Sequence, residues 1–224
     1  MGKIIFVFIC LLFLTSCKKE KVIELQNFNF NNKTSTYFSD KDKYKTYDNY
    51  YQIKSEVIGV DTISDGEFIG NEKPIRIEYR QEIFSNKDVL ARFGDFDFNA
   101  INFATTIDDK MMVFNAVAGE ISLKETKKFV ELLDKKYGKS KVSKETFIKP
   151  YDIYTWRLAD RIIKYCVVTD DESNTIKIED DQENKKINNG KKNSHIRAFL
   201  YIIKNEYASQ VIGKMSSGDL LYCN

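Results

Sequence analysis

Apolar and polar positions divide the chain into a leader, a polar stretch and a strand-rich remainder. An unbroken apolar run extends from Ile4 to Leu14 after Lys3. At about 1.5 Å per residue, a helix of that length reaches only about half of a ~30 Å hydrocarbon core. It therefore reads as the hydrophobic region of a signal peptide. From Lys18 to Gln52 the chain is rich in Asn, Lys and Asp, with Asn27, Asn29, Asn31 and Asn32 close together. Such a composition resists burial, so residues 17–52 are expected to be a polar tether. Tyr37, Phe38, Tyr44, Tyr47, Tyr50 and Tyr51 interrupt it. They suit contact with a sugar ring or a partner, or packing of the later half on the domain.

From residue 53 a period of two takes over. Ile53, Val57, Ile58 and Val60 predict one strand, with Asp65-Gly66 as its turn. Apart from the polar Gln81 on the apolar register, Ile75, Ile77, Tyr79 and Ile83 alternate with Arg76, Glu78, Arg80 and Glu82, the pattern of a half-buried antiparallel strand whose charged side faces water. Ser85-Asn86-Lys87-Asp88 predicts the cap of a short helix ending at Gly94. Phe96, Phe98, Ile101 and Phe103 predict extended chain, and Met111–Val117 a mostly apolar strand.

The period changes to 3.6 over 122–137. Ser122-Leu123-Lys124-Glu125 is a capping box. Leu123, Thr126, Val130, Leu133 and Tyr137, flanked by Phe129 and Leu132, form an apolar stripe. Gly138 closes the helix. Strands resume with Val142–Ile148, then a hairpin of Tyr151–Trp156 and Ile162–Val168 with Trp156 in or near the core, then His195–Ile203. Residues 170–194 read as a polar surface loop in which Ile176 and Ile178 mark one short strand. The sum is an α+β fold: a mainly antiparallel sheet with one principal helix packed on it, in a single domain over 53–224.

Lys+Arg number 35 and Asp+Glu 33, so no electrostatic footprint for nucleic acid exists. His195 is the only histidine, which excludes any two-histidine zinc site. Four cysteines stand too far apart for a Cys-x-x-Cys zinc pair.

Leu14-Thr15-Ser16-Cys17, at the end of the apolar run, resembles the lipobox of bacterial lipoproteins. The resemblance covers about 17 residues and carries no catalytic positions. It implies cleavage of residues 1–16, diacylation of Cys17 and acylation of the new amino terminus, which together anchor a protein stably to a membrane. Lys18, where Asp resembles an inner-membrane retention signal, points to the outer membrane, on either its periplasmic or its outer face. Cys166 and Cys223 then remain. Outside the cytoplasm they either close a disulfide, adding on the order of 4 kcal/mol, or stay as a buried thiol and an unpaired C-terminal one.

Other motifs fail on spacing. Gly138-Lys139-Ser140 lacks the earlier glycine of a phosphate-binding loop and follows a helix instead of preceding one. Asp95-x-Asp97-x-Asn99 opens like a calcium loop but has Ala100 and Thr106 where Gly and Glu are needed. The acidic pairs Asp170-Asp171 and Asp180-Asp181 read as solvated charge, and His195 as a strand-edge residue without a serine elbow around it. No cofactor and no metal is implied. The expected function is non-enzymatic binding in the cell envelope through a protein partner, for instance an immunity-type inhibitor of a secreted toxin. The other readings are a surface hydrolase of glycans or peptides using carboxylates as acid and base, and a structural envelope component.

Overall fold

The structure, a computed structural model, describes residues 22–38, 49–54, 56–65, 73–82, 87–146, 150–170, 177–179, 186–188, 195–215 and 218–223. The Ile4–Leu14 run, Cys17, Tyr44, Tyr47, Gly66, Ser85, Asn86, Asp171, Ile176, Asp180, Asp181 and Lys191-Lys192 lie outside them. Among the described residues no helix is long and apolar enough to cross a membrane.

The fold is mostly antiparallel β-sheet with few helices. Its centre is a nine-stranded sheet built from β2 (Tyr50–Ile53), β3 (Glu56–Ser64), β4 (Pro74–Gln81), β7 (Ala100–Thr105), β8 (Met111–Ile121), β14 (His195–Lys204), β11 (Arg161–Asp170), β10 (Pro150–Arg157) and β9 (Lys141–Thr146), in that spatial order. Every neighbouring pair is antiparallel. A small sheet joins β1 (Ile23–Glu24), β5 (Ala91–Phe93) and β6 (Phe96–Phe98), with β1 parallel to β5. β12 (Lys177–Glu179) holds Ile178 of the short strand expected there, and it pairs with β13 (Lys186–Asn188) in the part expected to be loop. The strand expected over 53–60 is instead a hairpin: Ile53 ends β2, Lys54 turns with φ 55°, and Glu56 starts β3. The helix expected to end at Gly94 is replaced by β5.

The helix α1 (Leu123–Tyr137) starts and stops where its pattern predicts. Ser122 accepts from the Glu125 amide through its hydroxyl, and the Glu125 carboxylate accepts from the Ser122 amide at 2.8 Å. Gly138, at φ 87°, follows the last turn. Thr126, Phe129 and Leu133 are buried, whereas Leu123 at the first turn is 57% exposed. The Trp156 indole pins the helix end to β10 by donating to Asp134 Oδ1 (3.0 Å) and to the Gly138 carbonyl (2.9 Å).

Two layers cover the central sheet. On the first face lie α1, the small sheet and residues 22–38. Phe28, Phe30 and Phe38 are buried there, with Phe38 stacked 5.2 Å from Phe103 and Phe28 4.9 Å from Phe114. This corrects the tether expected over 17–52. Residues 22–38 belong to the body because each aromatic ring removes roughly 150–250 Å² from water, which outweighs the polar composition around it. Arg161 fastens the segment by donating to the Phe28 carbonyl (2.8 Å) and lying over the Phe30 ring.

On the second face lies a C-terminal strap, residues 205–215 and 218–223. It includes the short helix α2 (Ala208–Val211) and a 3₁₀ turn over Gly218–Tyr222. Val211, Met215, Leu220 and Cys223 pack on Val113, Ile153, Phe199 and Tyr201. The strap overturns the wet face expected for β4. Glu78 is fully buried and Arg76 nearly so. They pair at 2.6 Å, and Arg76 also donates to the Lys214 carbonyl. With both faces covered, Met111–Gly119 is buried at every position, and no alternation survives there.

Candidate functional site

Tight turn chemistry builds a groove between the β5–β6 ribbon and α1. Gly94 takes φ 60°, a left-handed conformation that favours glycine, and so reverses β5 into β6 within two residues. A side chain there would also meet the Gln26 amide at 3.2 Å. The turn sets Asp95 and Asp97 on one side of the ribbon and Phe96 and Phe98 on the other. Phe96 stacks on Phe129 of α1 with centroids 4.2 Å apart, and Phe98 meets the same ring edge-on at 5.7 Å. Glu120 and Ile121 at the end of β8, Glu125 and Lys128 on α1, and Gln26 complete the walls. The volume is about 690 Å³.

The groove has an aromatic floor and an acidic rim. Asp95, Asp97, Glu120 and Glu125 are exposed and face one cation of the lining, Lys128. Arg92 holds Asp97 at 2.5 Å, and that carboxylate raises the guanidinium's pKa. The Ser122 hydroxyl and amide, both donating to Glu125, lower its pKa. Asp97 and Glu125 therefore have partners on their own ribbon or helix, and Asp95 and Glu120 stand beside them at the rim.

A second cavity, about 220 Å³, opens between residues 22–37 and the sheet. Glu24, Asn27, Asn29, Asn32, Tyr37 and Ile101 are among its walls. Asn29 caps its own turn by accepting from the Asn31 amide, and Asn32 donates to the Tyr37 hydroxyl at 3.3 Å. Burial raises the Tyr37 pKa.

The residues singled out in the sequence are distributed unevenly. Cys17 lies outside the described residues. Cys166 and Cys223 come together in the core under the strap, both as thiols. His195 starts β14, in register with Asp170. Of the calcium-like triplet, Asp97 pairs with Arg92 and Asn99 donates to the Asp88 carbonyl. Among the described residues no group of three His, Cys, Asp or Glu is placed to hold a metal. Gly138-Lys139-Ser140 is a helix end, where the Ser140 amide donates to Asp134. Burial raises the pKa of Asp219, with Arg197 and Asn102 pulling the other way. Asp219 lies in the strap and lines neither cavity.

Sequence reasoning missed Phe129, Glu120, Lys128 and Gln26 as groove residues, because three segments distant from the Asp95–Phe98 ribbon supply them. The usable signal was the alternation Asp95-Phe96-Asp97-Phe98, which puts acid on one side of a ribbon and aromatic rings on the other. No protein-family model matches the chain, and neither a curated protein nor a solved structure shows detectable similarity to it.

Proposed function

We propose that this chain is a lipid-anchored envelope lipoprotein that acts by binding a protein partner in the groove between β6 and α1. In this reading residues 1–16 are the signal peptide, Cys17 carries the lipid, and the rest is one α+β module with α1 as its principal helix. Lipidation rests on the Leu14-Thr15-Ser16-Cys17 resemblance and the apolar run before it. Binding rests on one observation, the acidic rim over the stacked Phe96 and Phe129 rings. Four carboxylates, of which Asp97 is already paired with Arg92, against the one lining ammonium leave the rim acidic and suit a basic segment. An aromatic floor accepts an apolar side chain inserted between the charges. An immunity-type inhibitor that neutralises a cationic surface of a secreted toxin fits this chemistry.

Two measurements test the two halves separately. Cys17→Ser is expected to move the protein from the detergent phase to the aqueous phase. Unchanged partitioning would remove the anchor. Cross-linking in the native envelope, followed by antibody capture, is expected to recover one stoichiometric partner. Asp95→Lys with Glu120→Lys should cut that capture about tenfold, the effect of losing roughly 1.4 kcal/mol of rim electrostatics. Equal capture by the folded double variant would exclude the groove. The partner's own activity separates immunity from assembly.

A further inference from the structure

Cys166 and Cys223 stand 57 positions apart in the chain and meet beneath the strap. Cys166 lies mid-strand in β11, between Ile153 of β10 and Phe199 of β14. Its thiol donates to the Tyr222 carbonyl at 3.4 Å. A carbonyl oxygen lies about 2.8 Å from the next Cα across a trans peptide, so the Cys166 sulfur is within about 6 Å of the Cys223 Cα. Neighbouring contacts hold the same approach. The Tyr222 ring stacks on Phe199 at 4.7 Å and meets Tyr151 edge-on at 5.5 Å. The Gly213 amide donates to the Cys223 carbonyl at 2.8 Å, closing the strap on itself.

Both side chains are sealed, with 0% and 1% exposure. Burial pushes the Cys223 thiol up to about 12 and the Cys166 thiol higher still; the Cys223 thiol adds to the rise at Cys166, and Lys164 pulls both the other way. A thiolate is the reacting species in disulfide exchange, so neither sulfur reacts while the strap is closed.

We propose that Cys166 and Cys223 form a disulfide that latches the C-terminal strap onto the second face, made before the strap closes and broken only after it opens. Cys223, at the strap's end, reaches solvent first. Its thiolate attacks a disulfide-bearing oxidant, protein or small molecule, and releases one thiol. The Cys166 thiolate then displaces the second thiol from the mixed disulfide. Two protons and two electrons leave the pair, one S–S bond forms, and the oxidant's disulfide becomes two thiols. An envelope location would supply such oxidants, but the pairing does not depend on the lipid anchor or the groove.

The test uses the purified full chain refolded with oxidised glutathione. After denaturation without reductant, alkylation and digestion, the Cys166 peptide should be found joined to the Cys223 peptide. In the folded protein, dithiothreitol should break that link at least about tenfold more slowly than in urea. Tyr222→Ala, which loosens the strap, should restore at least about tenfold of the rate while keeping the link. Alkylation of both cysteines without reduction, or separate glutathione adducts on each, would overturn the pairing. Equal reduction rates in the folded and denatured protein would overturn the latch.

Discussion

The two faces of the nine-stranded sheet are closed in different ways. On the first face, segments from residues 22–38, the small sheet and α1 bring aromatic rings together. Phe129 alone meets Phe93, Phe96, Phe98 and Tyr165. On the second face a single strap lies over a surface that contains buried charge and amide groups. There Arg76 pairs with Glu78, and Arg197 reaches Asp219 at 3.3 Å. Asn102 donates to its register partner Asn115, which donates to the Leu200 carbonyl. Apolar area is non-directional and stabilises whatever fills the space. Buried polar groups are costly unless each finds its partner, so they fix one position of the strap rather than adding much net stability. The first face therefore supplies adhesion, and the second supplies registration.

Single-residue truncations separate the two at the largest scale. Phe129→Ala should cost about 4 kcal/mol, through lost transfer energy and the cavity left among four rings. Glu78→Ala should cost about 3 kcal/mol, because Arg76 is left buried beside it without its carboxylate. Arg76→Met combined with Glu78→Leu should recover most of that loss, and no paired substitution is expected to rescue Phe129→Ala in the same way. Urea denaturation measures all of these. If the double variant were as unstable as Glu78→Ala alone, the registration role assigned to the second face would be lost.

A smaller effect is expected at the helix cap. Ser122→Ala removes the acceptor for the Glu125 amide and the hydroxyl that donates to its carboxylate, leaving the backbone amide donor in place, for about 1 kcal/mol. The loss should appear as a lower Tm, with faster amide exchange confined to the first turn of α1. Exchange spreading into the strap would mean that the two faces are coupled more tightly than their contacts indicate.

The smallest effect has opposite signs on the two sides. The pKa of Glu125 is lowered from 4.5, so its contribution is complete above 4.5 and is lost as pH falls through the lowered value. The pKa of Asp219 is raised from 3.8, so its contribution is present below 3.8 and is lost as pH rises through the raised value. Acidification should therefore loosen the start of α1 and tighten residues 218–223. Amide exchange corrected for intrinsic rates, followed from neutral pH to below 3.8, reads both. A shift in the same direction at the two sites would break the contrast.

The amino-acid sequence by itself determined the local elements. The capping box and the 3.6-residue stripe placed α1 to within a residue. The Trp156 hairpin and the apolar His195–Ile203 strand were also legible, because each depends on residues close in the chain. Tertiary structure decided the rest. The pattern of β4 correctly gave a strand but assigned its charged side to water, since nothing within β4 reports a strap that starts about 125 residues later. The polar stretch from residue 22 hid three core phenylalanines, because composition averages over a window whereas burial acts on individual rings. The acidic and aromatic alternation of Asp95–Phe98 was visible, but its neighbours Glu120, Glu125 and Phe129 were not. The groove exists only where β6, β8 and α1 converge, and that convergence is set by which surfaces bury each other, not by spacing along the chain.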